Sequence, residues 1–227
     1  MNETIIAVGN GGYNLATDLV AAGLLPDFRL IVCDTNEKDL EKHSANATET
    51  ILLEKLGGKV KSDDTPIVED IVAKASNSVI ICATLGGMTG SKYAPLITLE
   101  AILKGKFVCS FFTMPYEFEG EQKTKRAMNA RMQLIASSNF AVQQNNDRLK
   151  EVESLGLNDI DKPLVETLKL AMKDRTLVEL ANDPKNDALQ EYIPEEYRVK
   201  DLPLVWLRSD TYRGITDEDR KGIFNLY

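Results

Sequence analysis

Ala83-Thr84-Leu85-Gly86-Gly87-Met88-Thr89-Gly90-Ser91-Lys92-Tyr93-Ala94-Pro95 lies between a short apolar run, Ser78–Ala83, and a helical pattern that runs to about Lys104. The apolar run has the length of a buried strand, and Pro95 is suited to the start of the next helix. Glycine in such a turn lets backbone N–H groups approach an anion closely, and the helix N-terminus behind it adds partial positive charge. Three glycines and two hydroxyls therefore read as a phosphate cradle. A second stretch of the same kind, Val8-Gly9-Asn10-Gly11-Gly12-Tyr13-Asn14, follows the apolar run Thr4–Val8 and precedes a helix expected from Asn14 to about Ala22.

Outward from these two turns the same alternation continues. Strands are expected at Arg29–Cys33, Lys106–Phe112 and Phe140–Gln143. Helical patterns cover Glu37 to about Leu56 (ended by Gly57-Gly58), a segment opened by Thr65 as N-cap with Pro66, and Gly120 to Ala136. A long helix is expected from Pro163 to about Leu180, with Leu164, Val165, Leu168, Ala171 and Met172 on its inner face. Strands alternating with helices at this spacing imply βαβ units. The predicted fold is α/β: a Rossmann-like, doubly wound, mainly parallel sheet, ending in a long central helix and a short C-terminal extension. Ligands of such sheets sit beyond the carboxyl ends of the strands, where both glycine stretches fall. One nucleotide-binding domain over 1–181 is expected, and 182–227 reads as an extension without a second domain.

Composition narrows the function classes. A net charge of −8 over 227 residues argues against a nucleic-acid groove, which needs a basic excess. It does not argue against a nucleotide, which a few oriented N–H groups hold inside an acidic protein. No run of 18 apolar residues is present, so no membrane span is expected, and the cytoplasm is the expected compartment. Cys33, Cys82 and Cys109 each fall in an apolar run and read as reduced core thiols.

Asp34 stands 20 residues after Asn14, where a dinucleotide fold places its ribose-binding acid, although Asn14 occupies the third glycine position of that pattern. A dinucleotide-binding or adenylating enzyme using Gly9, Gly11, Gly12 and Asp34 is one reading. Two cradles favour the other, a nucleotide whose phosphates are gripped from both sides.

Three segments resemble the nucleotide domain of the tubulin/FtsZ family. Gly86–Pro95 is similar to its G-G-G-T-G-[ST]-G signature followed by A-A-P. Met114-Pro115-Tyr116-Glu117-Phe118-Glu119-Gly120 resembles the bacterial R-P-F-x-F-E-G segment, and Asn146-Asp147-Arg148-Leu149 reproduces N-D-R-L. The resemblance implies GTP or GDP as ligand, with Mg accompanying it. It places Gly9, Asn10, Gly11, Gly12 and Asn14, together with Gly86, Gly87, Met88, Thr89, Gly90 and Ser91, against the phosphates. Pro115 joins the binding set, Glu119 holds the ribose, Lys123 stands near the phosphates, and Asn146 meets the guanine edge.

Departures from the family are specific. Met88 and Lys92 replace signature glycines, Lys123 stands where Arg is common, and Leu168 and Met172 are aligned with the base-stacking Phe and base-pairing Asp. Asn182-Asp183-Pro184-Lys185-Asn186-Asp187 lies near the place of the family's acidic hydrolytic loop without matching it. No catalytic residue and no metal ligand are assigned. A regulatory or filament-associated module is expected, with a GTPase completed in trans by another subunit as alternative. Self-association or pairing with a complete FtsZ-like protein is implied, and residues 201–208 resemble the D-I-P-x-F-L-R partner-binding tail, or else pack on their own domain. His43 reads as a solvated helix residue. Glu117 and Glu119 read as one face of an extended segment, and Lys123–Arg126 as a wet helix face apart from Lys123.

Overall fold

The computed structural model describes residues 3–55, 65–152, 155–156, 159–183, 190–199 and 203–208. Seven strands form one sheet in the order β3-β2-β1-β4-β5-β6-β7. They are β1 (Glu3–Val8), β2 (Phe28–Asp34), β3 (Glu49–Leu52), β4 (Ser78–Thr84), β5 (Phe107–Met114), β6 (Phe140–Asn145) and β7 (Leu204–Arg208). The first six are parallel, and β7 runs antiparallel along β6 with Val142 opposite Trp206.

Side-chain alternation divides the apolar strands between two cores. Ile5, Ala7, Val32, Ile80 and Phe111 face α1 (Gly9–Ala21), α7 (Lys162–Ala171) and α8 (Leu177–Asn182). Ile6, Val8, Ile81, Phe112 and Ala141 face α3 (Thr65–Lys74), α4 (Met88–Leu103) and α5 (Glu121–Ser137). The doubly wound, mainly parallel fold expected from the sequence is present. Two short helices, α2 (Glu37–His43) and α6 (Asn146–Leu149), complete the set among the described residues.

Several boundaries differ from expectation, each for a physical reason. The polar stretch read as one helix to Leu56 is α2 followed by β3, an edge strand whose Glu49 pairs with Arg29 and Lys74. Gly57-Gly58 lie outside the described residues. Pro95 does not open α4: the helix begins at Met88, and Pro95 lies within it. The helix expected over 163–180 is broken between α7 and α8. Thr176 accepts from the Glu179 N–H while Glu179 accepts from the Thr176 N–H, a capping box that starts a new helix. Arg175 closes the preceding end by donating to the Ala171 carbonyl at 3.0 Å and pairing with Asp183. Burial pushes the thiols of Cys33, Cys82 and Cys109 far above their ordinary range, as core thiols require.

Candidate functional site

β1 and β4 are neighbours, yet their following helices leave toward opposite faces of the sheet, α1 into one core and α4 into the other. The crevice between them is the switch point at which open α/β sheets hold ligands. Both glycine stretches meet there. The first is itself the opening turn of α1, which begins at Gly9, while in the second Gly86 and Gly87 precede α4, which begins at Met88; neither N-terminus has a side-chain cap. Two sets of first-turn N–H groups thus converge.

Gly11, Gly12 and Gly90 are required by contact. A Cβ on Gly11 would stand 2.1 Å from Thr84 Oγ1, one on Gly12 2.4 Å from the Cys82 carbonyl oxygen, and one on Gly90 2.4 Å from the Thr84 carbonyl oxygen. Gly86 adopts φ +97° against Pro115, whose Cγ would lie 3.2 Å from an added Cβ. These contacts pack α1 and α4 against the end of β4 and fix the spacing of the two cradles.

The two signature hydroxyls shape the turn from within. Ser91 Oγ accepts from the Gly86 N–H at 2.8 Å. Thr89 Oγ1 donates to Asp34 Oδ1 at 3.3 Å and lies 2.8 Å from Thr35 Oγ1. Asp34 is buried, and the same Oδ1 also accepts from the Asn36 N–H at 3.2 Å. A carboxylate engaged with the second cradle in this way is not presented to a ribose, which argues against the dinucleotide reading. Met88 is exposed at the rim, 48% of the residue accessible.

Pro115 and Lys123 flank the Gly86 turn, and Glu119 and Asn146 follow the carboxyl ends of β5 and β6. Tyr116 begins a 3-10 turn over Glu117–Glu119, not an extended segment, and the two carboxylates do not share a face. Glu119 accepts from the Tyr116 N–H and pairs with Lys123 at 2.8 Å. Desolvation raises the Glu119 carboxyl, and those two donors more than offset it, leaving it below the usual range. Asn146 is buried at the start of α6, and Asp147 Oδ1 accepts from the Glu117 N–H at 3.2 Å, tying this turn to α6. Leu168 and Met172 are elsewhere. Leu168 is in the α1-side core, and Met172 shares a groove with Glu3 and Asp27 at the opposite end of the sheet. With α7 starting at Lys162, Met172 lies about 15 Å along its axis, too far to meet a base.

Two residues read from the sequence as solvated helix positions, His43 and Arg126, instead support the glycine turns. His43 is buried, stacks on Tyr13 at 3.6 Å and bonds Asn10 Oδ1 at 2.8 Å, so it is a support of the first cradle and not a solvated residue. Arg126 donates to the Gly86 carbonyl at 2.8 Å, holding the positive-φ turn from α5. Asp161, just before α7, has its carboxyl pushed up to about 6 by burial and, secondarily, by Asp18. His43 and Arg126 carry no local signal for this role, because each reaches its turn across a connection of the fold.

Desolvation holds the His43 imidazole below its ordinary 6.5, against the opposing pull of Asp39 and Asp34. The unfolded chain then binds the extra proton more readily, so this contribution is present above pH 6.5 and is lost as pH falls through the folded value. Urea unfolding of wild type should show a loss with acidification of up to about 1.4 kcal/mol per pH unit that His43→Gln lacks. Identical pH profiles for the two chains would refute the burial of neutral His43.

The model of the tubulin/FtsZ family GTPase domain matches residues 3–154. The chain belongs to the tubulin/FtsZ family. Among curated relatives it is 29% identical over 159 residues to the cell division protein FtsZ of Mycoplasmopsis pulmonis, covering 66% of this chain and 40% of that one. The chain thus spans well under half of that relative's length. Among solved structures, an empty FtsZ dimer from M. jannaschii matches with TM-score 0.61 at 24% identity, covering 84% of this chain and 60% of that one. CetZ2 from Haloferax volcanii, a GTPγS-bound protofilament, matches with TM-score 0.59 at 19% identity, covering 84% and 62%. At these identities the structures establish the fold alone. Among the described residues no helix is long and apolar enough to cross a membrane. As for the tail, the backbone of Leu204–Arg208 is paired with β6, while 201–202 and Pro184–Asp187 lie outside the described residues.

Proposed function

We propose that this chain binds a guanine nucleotide, GTP or GDP, in the crevice between β1 and β4. The observation that carries the reading is the convergence of two uncapped helix N-termini, packed together through Gly11, Gly12 and Gly90 so closely that no Cβ fits. Phosphates would take the first-turn N–H groups at Gly9–Gly12 and Gly87–Gly90, with Asn14 and Ser91 bounding the two turns. Pro115 holds the Gly86 turn from the side. Glu119 and Lys123 are bonded to each other, so a ribose or phosphate would exchange with an accessible pair whose own stability contribution is small. Asn146 would meet the base. Mg would accompany the nucleotide through its phosphates.

The nucleotide unit is residues 1–181, and the 182–227 extension adds β7 to the same sheet. The mismatch of Asn182–Asp187 with the acidic hydrolytic pattern supports slow hydrolysis by this chain alone. A regulatory or filament-associated role follows, through self-association or pairing with a complete FtsZ-like protein, in cell division and in the cytoplasm. Strand pairing of 204–208 supports packing of that segment on its own domain over use as a partner-binding tail.

Calorimetry with GTP, GDP, ATP and NAD under matched conditions tests the ligand. Weak but measurable binding of GTP and GDP is expected. Tight NAD binding with none for GTP contradicts it.

A further inference from the structure

Gln144 is fully buried near the carboxyl end of β6, in the polar half of a strand whose first three residues, Phe140, Ala141 and Val142, fill the two cores. Its Oε1 accepts from the Leu164 backbone N–H at 3.1 Å, and its Nε2 donates to the Ile160 carbonyl at 2.7 Å. A backbone N–H only donates and a backbone carbonyl only accepts, so these two partners leave the Gln144 amide one orientation. The second Nε2 hydrogen goes to Asn146 Oδ1 at 3.0 Å. Asn146 therefore turns its oxygen toward Gln144. Its Nδ2 makes no hydrogen bond to another described residue and is left for a ligand.

We propose that Gln144 is a positioning residue that fixes Asn146 as a hydrogen-bond donor toward the base. The site then discriminates for purines whose edge carries a carbonyl, such as guanine and hypoxanthine, and against adenine, whose amino group would oppose the Asn146 N–H. A buried donor facing a donor leaves both unsatisfied, which is how a polar site rejects a wrong ligand. The device is local to this chain's β6–α6–α7 junction: Gln144 joins Asn146 to the residue just before Asp161 and to the first turn of α7. The proposal rests on the nucleotide reading above for its ligand, but the clamp itself does not.

The experiment has two arms on the full chain. Side-chain amide hydrogen exchange, read by NMR without ligand, should find the Gln144 NH2 protected and the Asn146 NH2 exchanging fast. The reverse order overturns the proposal without any variant being made. Affinities for GTP, ITP and ATP are then compared among wild type, Gln144→Met and Gln144→Glu. Gln144→Glu keeps an acceptor for Leu164 but, while ionised, has no donor for Asn146. Wild type should prefer GTP and ITP over ATP by about tenfold or more, and both variants should narrow that preference about tenfold while leaving the GTP-to-ITP ratio unchanged. An unmoved GTP-to-ATP ratio in a folded variant overturns the proposal, because a merely structural Gln144 would weaken all three ligands alike. If wild type binds none of the three while Gln144 is protected, the nucleotide reading falls and base discrimination with it, and the amide clamp stands.

Discussion

Gly12→Ala and Gly90→Ala should each destabilise the chain by about 1–3 kcal/mol, and Gly87→Ala by less than about 1 kcal/mol. The three glycines lie in the same two turns, but their surroundings differ. At Gly12 and Gly90 the new methyl would meet backbone carbonyl oxygens of β4 at 2.4 Å, and strand backbone cannot swing aside as a flexible side chain does. Relief requires α1 or α4 to move off the sheet, which opens apolar contacts in both cores. At Gly87 φ is −70° and nothing lies within 4 Å of an added Cβ, so alanine fits in the existing conformation. Its small loss as a helix N-cap is offset by a less flexible unfolded chain. Urea midpoints for the three variants provide the check, and equal losses at Gly87 and Gly90 would show that the packing described at the β1–β4 junction is wrong.

Tyr93→Ala should cost about 3–5 kcal/mol, and Tyr93→Phe about 1 kcal/mol. Tyr93 follows the second cradle within α4, is 1% exposed, and fills the core shared with α3 and α5. Its hydroxyl donates to the Glu54 carbonyl at 3.0 Å, just past β3, so one side chain fastens the cradle helix to the far edge of the sheet. Alanine removes the ring and leaves a cavity beneath the helix that carries Gly90. Phenylalanine keeps the ring and loses the hydroxyl with its bond to Glu54. Comparable losses for the two variants would place the stabilisation in the hydroxyl and contradict the packing argument.

What the sequence revealed and what it hid have separate physical origins. β1, β2, β4 and β5 are apolar on both faces because helices cover both, so each reads as an uninterrupted run, and glycines mark where β1 and β4 turn into helices. β3 was hidden because Glu-Thr-Ile-Leu at a sheet edge is half-exposed and lies next to a polar helix with which its pattern merges. The break before α8 was legible in principle, since Thr176 and Glu179 carry capping-box spacing, but the apolar periodicity of the segment dominated. Within the site, the glycines could be found because their role is local. His43, Arg126 and Gln144 could not, since their partners lie 33, 40 and up to 20 residues away. The misplacement of Leu168 and Met172 has the same cause: only the fold shows that α7 starts at Lys162 and carries Met172 to the far end of the sheet.

Both cradles are proposed to hold one nucleotide. Backbone amide shifts on titration with GDP test it most directly. Gly11, Gly12, Gly87 and Gly90 should shift together along one saturation curve, with the Asn146 side-chain amide following it. Shifts confined to Gly9–Gly12, with Gly86–Ser91 unmoved at saturation, would contradict it.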